Sequence, residues 1–483
     1  MNIVETGVFF VYLIAMVAVG VVFFIRSKGD GEKEYFLGGR QVGPWVAALS
    51  AGASDMSAWV LMGLPTAIYL NGLSEVWIAI GLGIGYALSW IFVAPRLRSF
   101  SIVCGDAITI PQYLSKRFLS KSYLLQIICA IVFLIAYTIY AASSIKACGN
   151  LFHTVMGINA QTAMIVAAVV IVSYTFLGGF SAVCWTDFFQ GMLMLAGMMI
   201  APIFANFMLT RLADPQIPAD YWNACSGWKS IASGLGWGLG YFGMPHIIIR
   251  YMSLKSQKDL KKSAVIGISW TVIILAFAAL IGIVGRYHIA NSEELASNEL
   301  VFVSMVRTIF PSLISGILLS AILAAAMSTA DSQLLAASSS FSSDMYKPVF
   351  RGGKASDYEI LWIGRIIVLV IAIIAMFMAL NPACGSIMGL VGNAWGVFGA
   401  AFGPVILLSL FWRNFNYAGA VAGIVVGAVV DIAWMILMKG FGLYEIIPGF
   451  VAGLVAAVVV SIVSGNANND MSEVFDKAVN YKE

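Results

Sequence analysis

Charged residues fill only 11% of the 483 positions, less than half the roughly 25% of an ordinary soluble domain, and that scarcity excludes a surface solvated in the usual way. Histidine occurs three times, too sparsely for a histidine-rich metal site. The six cysteines (Cys104, Cys129, Cys148, Cys184, Cys225 and Cys384) contain no C-x-x-C pair and mostly lie inside apolar runs, so they read as small core residues rather than as a zinc site or a disulfide framework. Charge of neither sign dominates: 27 Lys plus Arg against 24 Asp plus Glu leave +3, without a basic stripe or an acidic tail, and nucleic acid is not an expected partner. No nucleophile–base pair and no metal-ligand spacing stands out, which speaks against an enzyme.

What is present is apolar. Hydrophobic residues make up 60% of the chain, and a helix needs roughly 20 of them to cross a ~30 Å hydrocarbon core. Apolar runs bounded by glycine, proline and charge clusters predict an all-α polytopic membrane protein with about 13 helices. They fall near 5–26, 43–70, 73–95, 123–150, 160–178, 188–210, 230–250, 263–286, 303–340, 360–380, 385–411, 417–438 and 445–464, with boundaries good to about four residues. The first run, Val8 to Ile25, lacks a basic leader and is expected to be a first span rather than a cleaved signal peptide. With the N-terminus outside, twenty-one of the 27 basic residues fall on the cytoplasmic side, so an odd span count with the C-terminus inside fits the positive-inside rule.

Two of these helices carry their own breaks. The second contains Ser50-Ala51-Gly52-Ala53-Ser54-Asp55-Met56-Ser57, a run of small polar residues with a carboxylate at membrane depth. The seventh contains five glycines and a proline between Gly234 and Pro245, and each glycine lowers helix propensity by about 1 kcal/mol and proline by about 3. Each opens a set of five spans, and five is odd, so the second set is inserted upside down relative to the first. Interrupted helices at matching places in two inverted halves are the best pointer in sequence to a transporter site near the midplane. The implied division is a first helix and loop at 1–42, repeats at 43–210 and 211–411, two peripheral helices at 412–465, and a polar cytoplasmic tail at 466–483.

Asp55 is the most informative residue, because a mid-span carboxylate costs roughly 2.5–3.5 kcal/mol and persists only with a partner or an aqueous cavity. A cation or proton site is its default meaning; capping of the broken helix is the structural alternative, and the two are compatible. Unwinding frees carbonyls such as those of Ala53 and Met56. The ninth helix adds Ser328 and Thr329 with the Ala325 carbonyl one turn earlier, and three carbonyls with two hydroxyls make a five-oxygen set suited to a small hard cation. Back-bonding of those hydroxyls within their own helix is the bland reading.

Five segments together carry a resemblance: Leu37-Gly38-Gly39-Arg40, Ala48 to Ser57, Trp237-Gly238-Leu239-Gly240-Tyr241-Phe242-Gly243, Met327-Ser328-Thr329, and Leu443-Tyr444-Glu445-Ile446-Ile447-Pro448-Gly449-Phe450. From about residue 30 to 465 the chain resembles the sodium:solute symporter family, and within it the bacterial sodium/proline symporters. The resemblance implies the five-plus-five inverted-repeat fold of the leucine transporter. It implies Na⁺ ligation by Ala53, Met56, Ala325, Ser328 and Thr329 with Asp55 nearby, and binding of L-proline by Ser57, Tyr140, Trp237, Tyr241 and Pro245. Ala58 and Met244 depart from the subfamily, which usually has Gly and often Gln there, so another small amino acid or organic acid is the alternative solute. A transporter-like sensor is the alternative of another class.

Asp187, expected to open the sixth helix as a cap or dipole contact, and Asp331 with Ser332 are candidates for a second cation or exit site, because Ser328 and Asp331 share a helix face. Asp431 ends a glycine series spaced by four (Gly419, Gly423, Gly427) for which packing is the expected role. His246 is expected to be a partly exposed polar residue at the cytoplasmic end of the seventh helix. Membrane lipid is the expected surroundings, and the oligomeric state is left open.

Overall fold

The computed structural model describes residues 2–26, 31–175, 179–465 and 469–481. The end of the expected 160–178 span and the basic residues Lys28 and Lys482 lie outside the described residues.

Every described regular element is helical, and the only β pairing among them is an isolated bridge between Val42 and Leu254. The α-helices of eight residues or more are α1 (Ile3–Arg26), α2 (Pro44–Asp55), α3 (Leu64–Asn71), α4 (Val76–Leu88), α5 (Ala94–Val103), α6 (Ile110–Arg117), α7 (Leu124–Met156), α8 (Ala160–Thr175), α9 (Phe180–Met208) and α10 (Trp228–Gly236). They continue as α11 (Pro245–Ser253), α12 (Gln257–His288), α13 (Val301–Ile309), α14 (Ser312–Ser339), α15 (Asp357–Leu380), α16 (Ile387–Phe411), α17 (Tyr417–Leu437), α18 (Ile446–Val463) and α19 (Asn469–Val479). Ten helical runs among the described residues are long and apolar enough to cross a membrane, and one of them, Trp59–Val103, is a continuous run through α3, α4 and α5. The two interrupted helices, each too short in its halves, are not among those ten as whole spans.

Local sequence sets the ends. Proline stands at the start of α2 and α11, where its missing N–H costs nothing. Ser256, Ser356, Ser386 and Asn416 cap α12, α15, α16 and α17 by accepting an N–H three residues on. Phe310 and Pro311 separate α13 from α14, so the 303–340 run is two helices rather than one, and its far end continues as a wider-wound π segment, Ser340–Phe350. α9 begins at Phe180 and not near 188, which places Asp187 two turns inside the helix instead of at its start. The tail, read as polar, contains α19, whose Phe475 packs edge-on against Phe100.

α14 and α16 are the most enclosed long helices, with 83% of their apolar windows buried, and α2 lies between α9, α11, α12 and α14. The stretch before α2 is tied to the end of α11 by Val42 N–H on the Ser253 carbonyl (3.3 Å) and Lys255 N–H on the Val42 carbonyl (3.2 Å). The two interrupted helices therefore run side by side with their breaks deep in the molecule.

Candidate functional site

The first break begins where α2 stops. Met56 N–H still reaches the Gly52 carbonyl (2.8 Å), but Met56 has turned out of helix (φ −76°, ψ 70°) and Ser57 N–H folds back to the Asp55 carbonyl (2.8 Å). In an unbroken helix Ser57 would bond the carbonyl of Ala53. Freed from that role, the Ala53 carbonyl accepts the hydroxyl of Ser328 (2.8 Å) and that of Thr329 (3.4 Å), both from α14. The Ser328 hydroxyl also stands 3.1 Å from the Ala325 carbonyl. Four of the five oxygens named from the sequence are thus joined across two elements, all on fully buried residues. The fifth, the Met56 carbonyl, belongs to the turn itself and makes none of these hydrogen bonds. The hydroxyls do not settle for back-bonding alone, because the broken helix offers a better acceptor.

The Asp55 side chain points elsewhere. Its Oδ2 accepts the phenol of Tyr241 from the second break, and no hydrogen bond reaches Oδ1 among the described residues. The Asp55 carbonyl takes the Tyr140 hydroxyl (3.3 Å) and the Trp59 indole N–H (3.2 Å). Asp55 therefore fastens the two breaks together next to the oxygen cluster rather than closing the cluster with its carboxylate.

The second break runs from α10 through a 3₁₀ turn, Trp237–Phe242, to Met244 in extended conformation, and α11 then starts at Pro245. The glycines do two things here: they permit the tighter turn, and they let backbone meet side chain. A Cβ on Gly240 would lie 2.0 Å from the Trp395 indole nitrogen, which in fact donates to the Trp237 carbonyl (2.7 Å). Of the expected solute residues, Trp237 and Tyr241 fall into one aromatic enclosure. Trp237 stacks on Tyr444 (ring centroids 5.0 Å) and approaches Trp59 (6.0 Å), while Tyr241 meets Tyr86 (5.1 Å) and Trp395 (5.0 Å) edge-on. Ser57, Tyr140 and Tyr241 are buried, and Trp237, 7% exposed, lines an open cavity of about 450 Å³ together with Ser74, Glu75, Lys229 and Ser233.

Trp59, Tyr86, Trp395 and Tyr444 were not singled out as site residues from the sequence. Trp59 had a signal, standing two residues beyond the break. Tyr444 lay within a quoted motif, but its contact with Trp237 is made across more than 200 residues.

Deeper toward the Arg250 end of α11, charge is arranged differently from the expectation. Arg250, the last residue of the expected 230–250 helix and one of the twenty-one basic residues assigned to the cytoplasmic side, is 1% exposed. Its guanidinium donates to Asp187 Oδ2 (3.0 Å), Ser50 Oγ (2.8 Å), Ser332 Oγ (2.6 Å) and the His246 carbonyl, and Ser50 donates to the same Asp187 oxygen (2.6 Å). The structure does bring Asp187 and Ser332 together, and Asp331 stands beside Ser332 (3.3 Å), yet the cation facing Asp187 is a covalently attached one. His246 is fully buried, edge-on to Tyr137 and Tyr140, and not partly exposed as its position near the helix end suggested. Beyond the spans, Asp106 sits between Lys33 and Arg40; burial alone would raise its carboxyl, but the Lys33 hydrogen bond and the Arg40 charge hold it below the usual range.

A helical membrane chain whose two interrupted helices meet back to back, with freed carbonyls and hydroxyls at one end and an aromatic enclosure at the other, is a secondary transporter of a small molecule, not an enzyme. The model of the sodium:solute symporter family matches residues 35–427, and the chain belongs to that family. It is 43% identical over 466 residues to the osmoregulated proline transporter OpuE of Bacillus subtilis, covering 94% of each. It is 42% identical over 485 residues to the sodium/proline symporter of Salmonella typhimurium, covering 97% of this chain and 95% of that one. In structure it resembles a Na⁺-coupled sialic acid symporter in a substrate-bound outward-open state (TM-score 0.78, 21% identity, 97% of this chain and 99% of that one). It also resembles MhsT in complex with L-phenylalanine (TM-score 0.56, 12% identity, 88% and 99%). These two likenesses are of fold, and they agree with the inverted-repeat architecture expected. The protein is a multi-pass protein of the cell membrane.

Proposed function

We propose that this chain moves Na⁺ inward together with L-proline by alternating access. Relatives at 42–43% identity over nearly the whole chain carry proline in their names, and the site offers what a zwitterionic imino acid needs. The observation that carries the reading is the Ala53 carbonyl, released by the break and met by Ser328 and Thr329 from α14. Na⁺ is held by Ala53, Met56, Ala325, Ser328 and Thr329, so binding draws α2 and α14 together. Asp55, one to two residues away, passes that movement to Tyr241 and Tyr140, which with Trp237, Ser57 and Pro245 hold the solute. The solute carboxylate suits the positive N-terminal end of α11, and its ring and cationic amine suit the aromatic walls. Toward the cytoplasm, Asp187, Asp331 and Ser332 mark the way out for Na⁺, and the Arg250 guanidinium must leave Asp187 before an ion stands there. Residues 43–210 and 211–411 act as the two inverted repeats, with 412–465 peripheral.

One charge moving down about 100 mV yields ~2.3 kcal/mol and a tenfold Na⁺ gradient about 1.4 kcal/mol, enough together for accumulation of roughly several hundredfold. The test is counterflow in proteoliposomes: Na⁺-dependent exchange of labelled proline, competed by unlabelled proline. Absence of flux would favour a sensor, and competition by a different solute alone would reassign the pocket, with buried Met244 and Ala58 the first residues to exchange.

A further inference from the structure

Asp431 lies in α17, outside the two repeats, and plays no part in the transport reading. It is fully buried, and no hydrogen bond reaches either carboxylate oxygen among the described residues. Its surroundings are bare: Gly396 of α16 and Gly449 of α18 leave the space it fills. A Cβ on Gly396 would stand 2.9 and 3.3 Å from the two Asp431 oxygens and 3.3 Å from Cγ of Glu445. Glu445, half-buried at the head of α18, thus approaches the same glycine. The ionisable groups that face the carboxylate are Glu445 and the phenol of Tyr444; α16 and α7 bring no ionisable group to bear on it, and Lys229 is held on the Phe441 carbonyl (2.8 Å).

An ionised carboxylate without donors in a low-dielectric interior is prohibitively costly, and a second carboxylate beside it makes the doubly charged state worse. Packing, the role expected for this helix face, explains the glycines but not a carboxyl between them. We propose that Asp431 and Glu445 form an electrostatically coupled carboxyl pair in which Asp431 holds one proton, behind the outer end of the pocket.

The pair has a mechanical outlet. Tyr444 adjoins Glu445, stacks on Trp237 and donates its hydroxyl to the Gly392 carbonyl (2.7 Å), one turn before Gly396. Loss of that proton drives the two carboxylates apart, and the displacement of Glu445 carries Tyr444 off Trp237. Outside pH then sets how readily the aromatic enclosure opens to solute. This last link rests on Trp237 belonging to the solute pocket; the proton site itself does not.

Infrared spectroscopy of the full chain in lipid, titrated from about pH 5 to 9, reads the proton without any transport assay. A protonated-carboxyl band present at neutral pH should vanish in Asp431→Asn. In Glu445→Gln it should remain but titrate at lower pH, because the like charge that favoured protonation is gone. An unchanged band in Asp431→Asn, or an unshifted titration in Glu445→Gln, overturns the pair. Both substitutions are isosteric, and each variant is compared with wild type for monodispersity so that misfolding is seen as such. In counterflow the half-saturation constant for solute should change at least about fivefold across that pH range in wild type and be flat in Asp431→Asn. Equal pH profiles overturn the link to Tyr444. If wild type shows no proline flux while the band behaves as described, the transport reading fails and the proton site stands.

Discussion

Ser328 places one hydroxyl between two carbonyls of different elements, 2.8 Å from that of Ala53 and 3.1 Å from that of Ala325, and Thr329 adds a second hydroxyl to the first of them. A hydrogen-bonding or ligating oxygen that faces a charge contributes about 1.5–3 kcal/mol. Ser328→Ala and Thr329→Ala are each expected to raise the Na⁺ concentration for half-maximal uptake by at least about tenfold, with solute affinity at saturating Na⁺ little changed. Uptake kinetics against Na⁺ decide this, and unchanged sodium dependence in both variants removes the assignment. Arg250 is subject to a different test. Its removal leaves Asp187 buried without its counter-charge, a loss of about 3–5 kcal/mol for a broken buried pair. Arg250→Ala should therefore lower the thermal unfolding midpoint sharply in detergent, and Asp187→Asn added to it should restore at least half of the loss. No restoration would mean that the guanidinium supports the fold through Ser50, Ser332 and the His246 carbonyl and not through Asp187.

The two interrupted helices were legible as elements because their causes are local: small polar residues around Asp55, and glycines with a proline before α11. The break at Met56 and the 3₁₀ turn at Trp237 fall where composition weakens the helix. What composition does not carry is a partner far along the chain. Asp187 looks like a helix cap until Arg250, 63 residues away, is seen to face it. Arg250 itself looks like a loop cation because it stands near the end of an apolar run. The helix in the tail was missed for the opposite reason: only its apolar face, carrying Phe475 and Ala478, packs on the body, and the rest is polar. At this scale Gly240 is the sharpest test. An added methyl would fall 2.0 Å from the Trp395 indole, which cannot retreat without surrendering its bond to the Trp237 carbonyl. Overpacking of this kind costs about 1–3 kcal/mol and displaces the surrounding side chains. Gly240→Ala should keep substantial protein in the membrane yet raise the solute half-saturation constant about tenfold or more, since Trp237 and Tyr241 flank it; normal affinity would place the pocket elsewhere.

The orientation of the whole molecule rests on basic charge, and the structure changes which charges count. Arg40, Arg98, Arg117 and Arg250 are all buried, and Arg98 and Arg117 donate to the carbonyls of Leu254 and Ser409. Such residues are fixed by the fold and report little about lipid headgroups. The weight shifts to Lys255, Lys258, Lys261 and Lys262 at the start of α12, all exposed. Four exposed lysines at the start of α12, set against the thin charge of the 209–227 loop at the other end of the molecule, still direct the α11–α12 connection to the cytoplasm. Cys225 makes the first half of the test available in the native chain, being exposed in that opposite loop while Cys104, Cys129, Cys148 and Cys184 are buried. A membrane-impermeant maleimide applied to intact cells should label Cys225, and Cys225→Ser should remove most of that signal, leaving only what the half-buried Cys384 contributes. The second half uses Lys258→Cys in the Cys225→Ser background, chosen over position 257 because the Gln257 side chain is engaged with the Pro95 carbonyl (3.2 Å). That cysteine should stay unlabelled until the membrane is opened. Labelling of Lys258→Cys from outside, with Cys225 silent, would invert the molecule. The cavity over Trp237 would then face the cytoplasm, and inward uptake would have to begin from the Arg250 side.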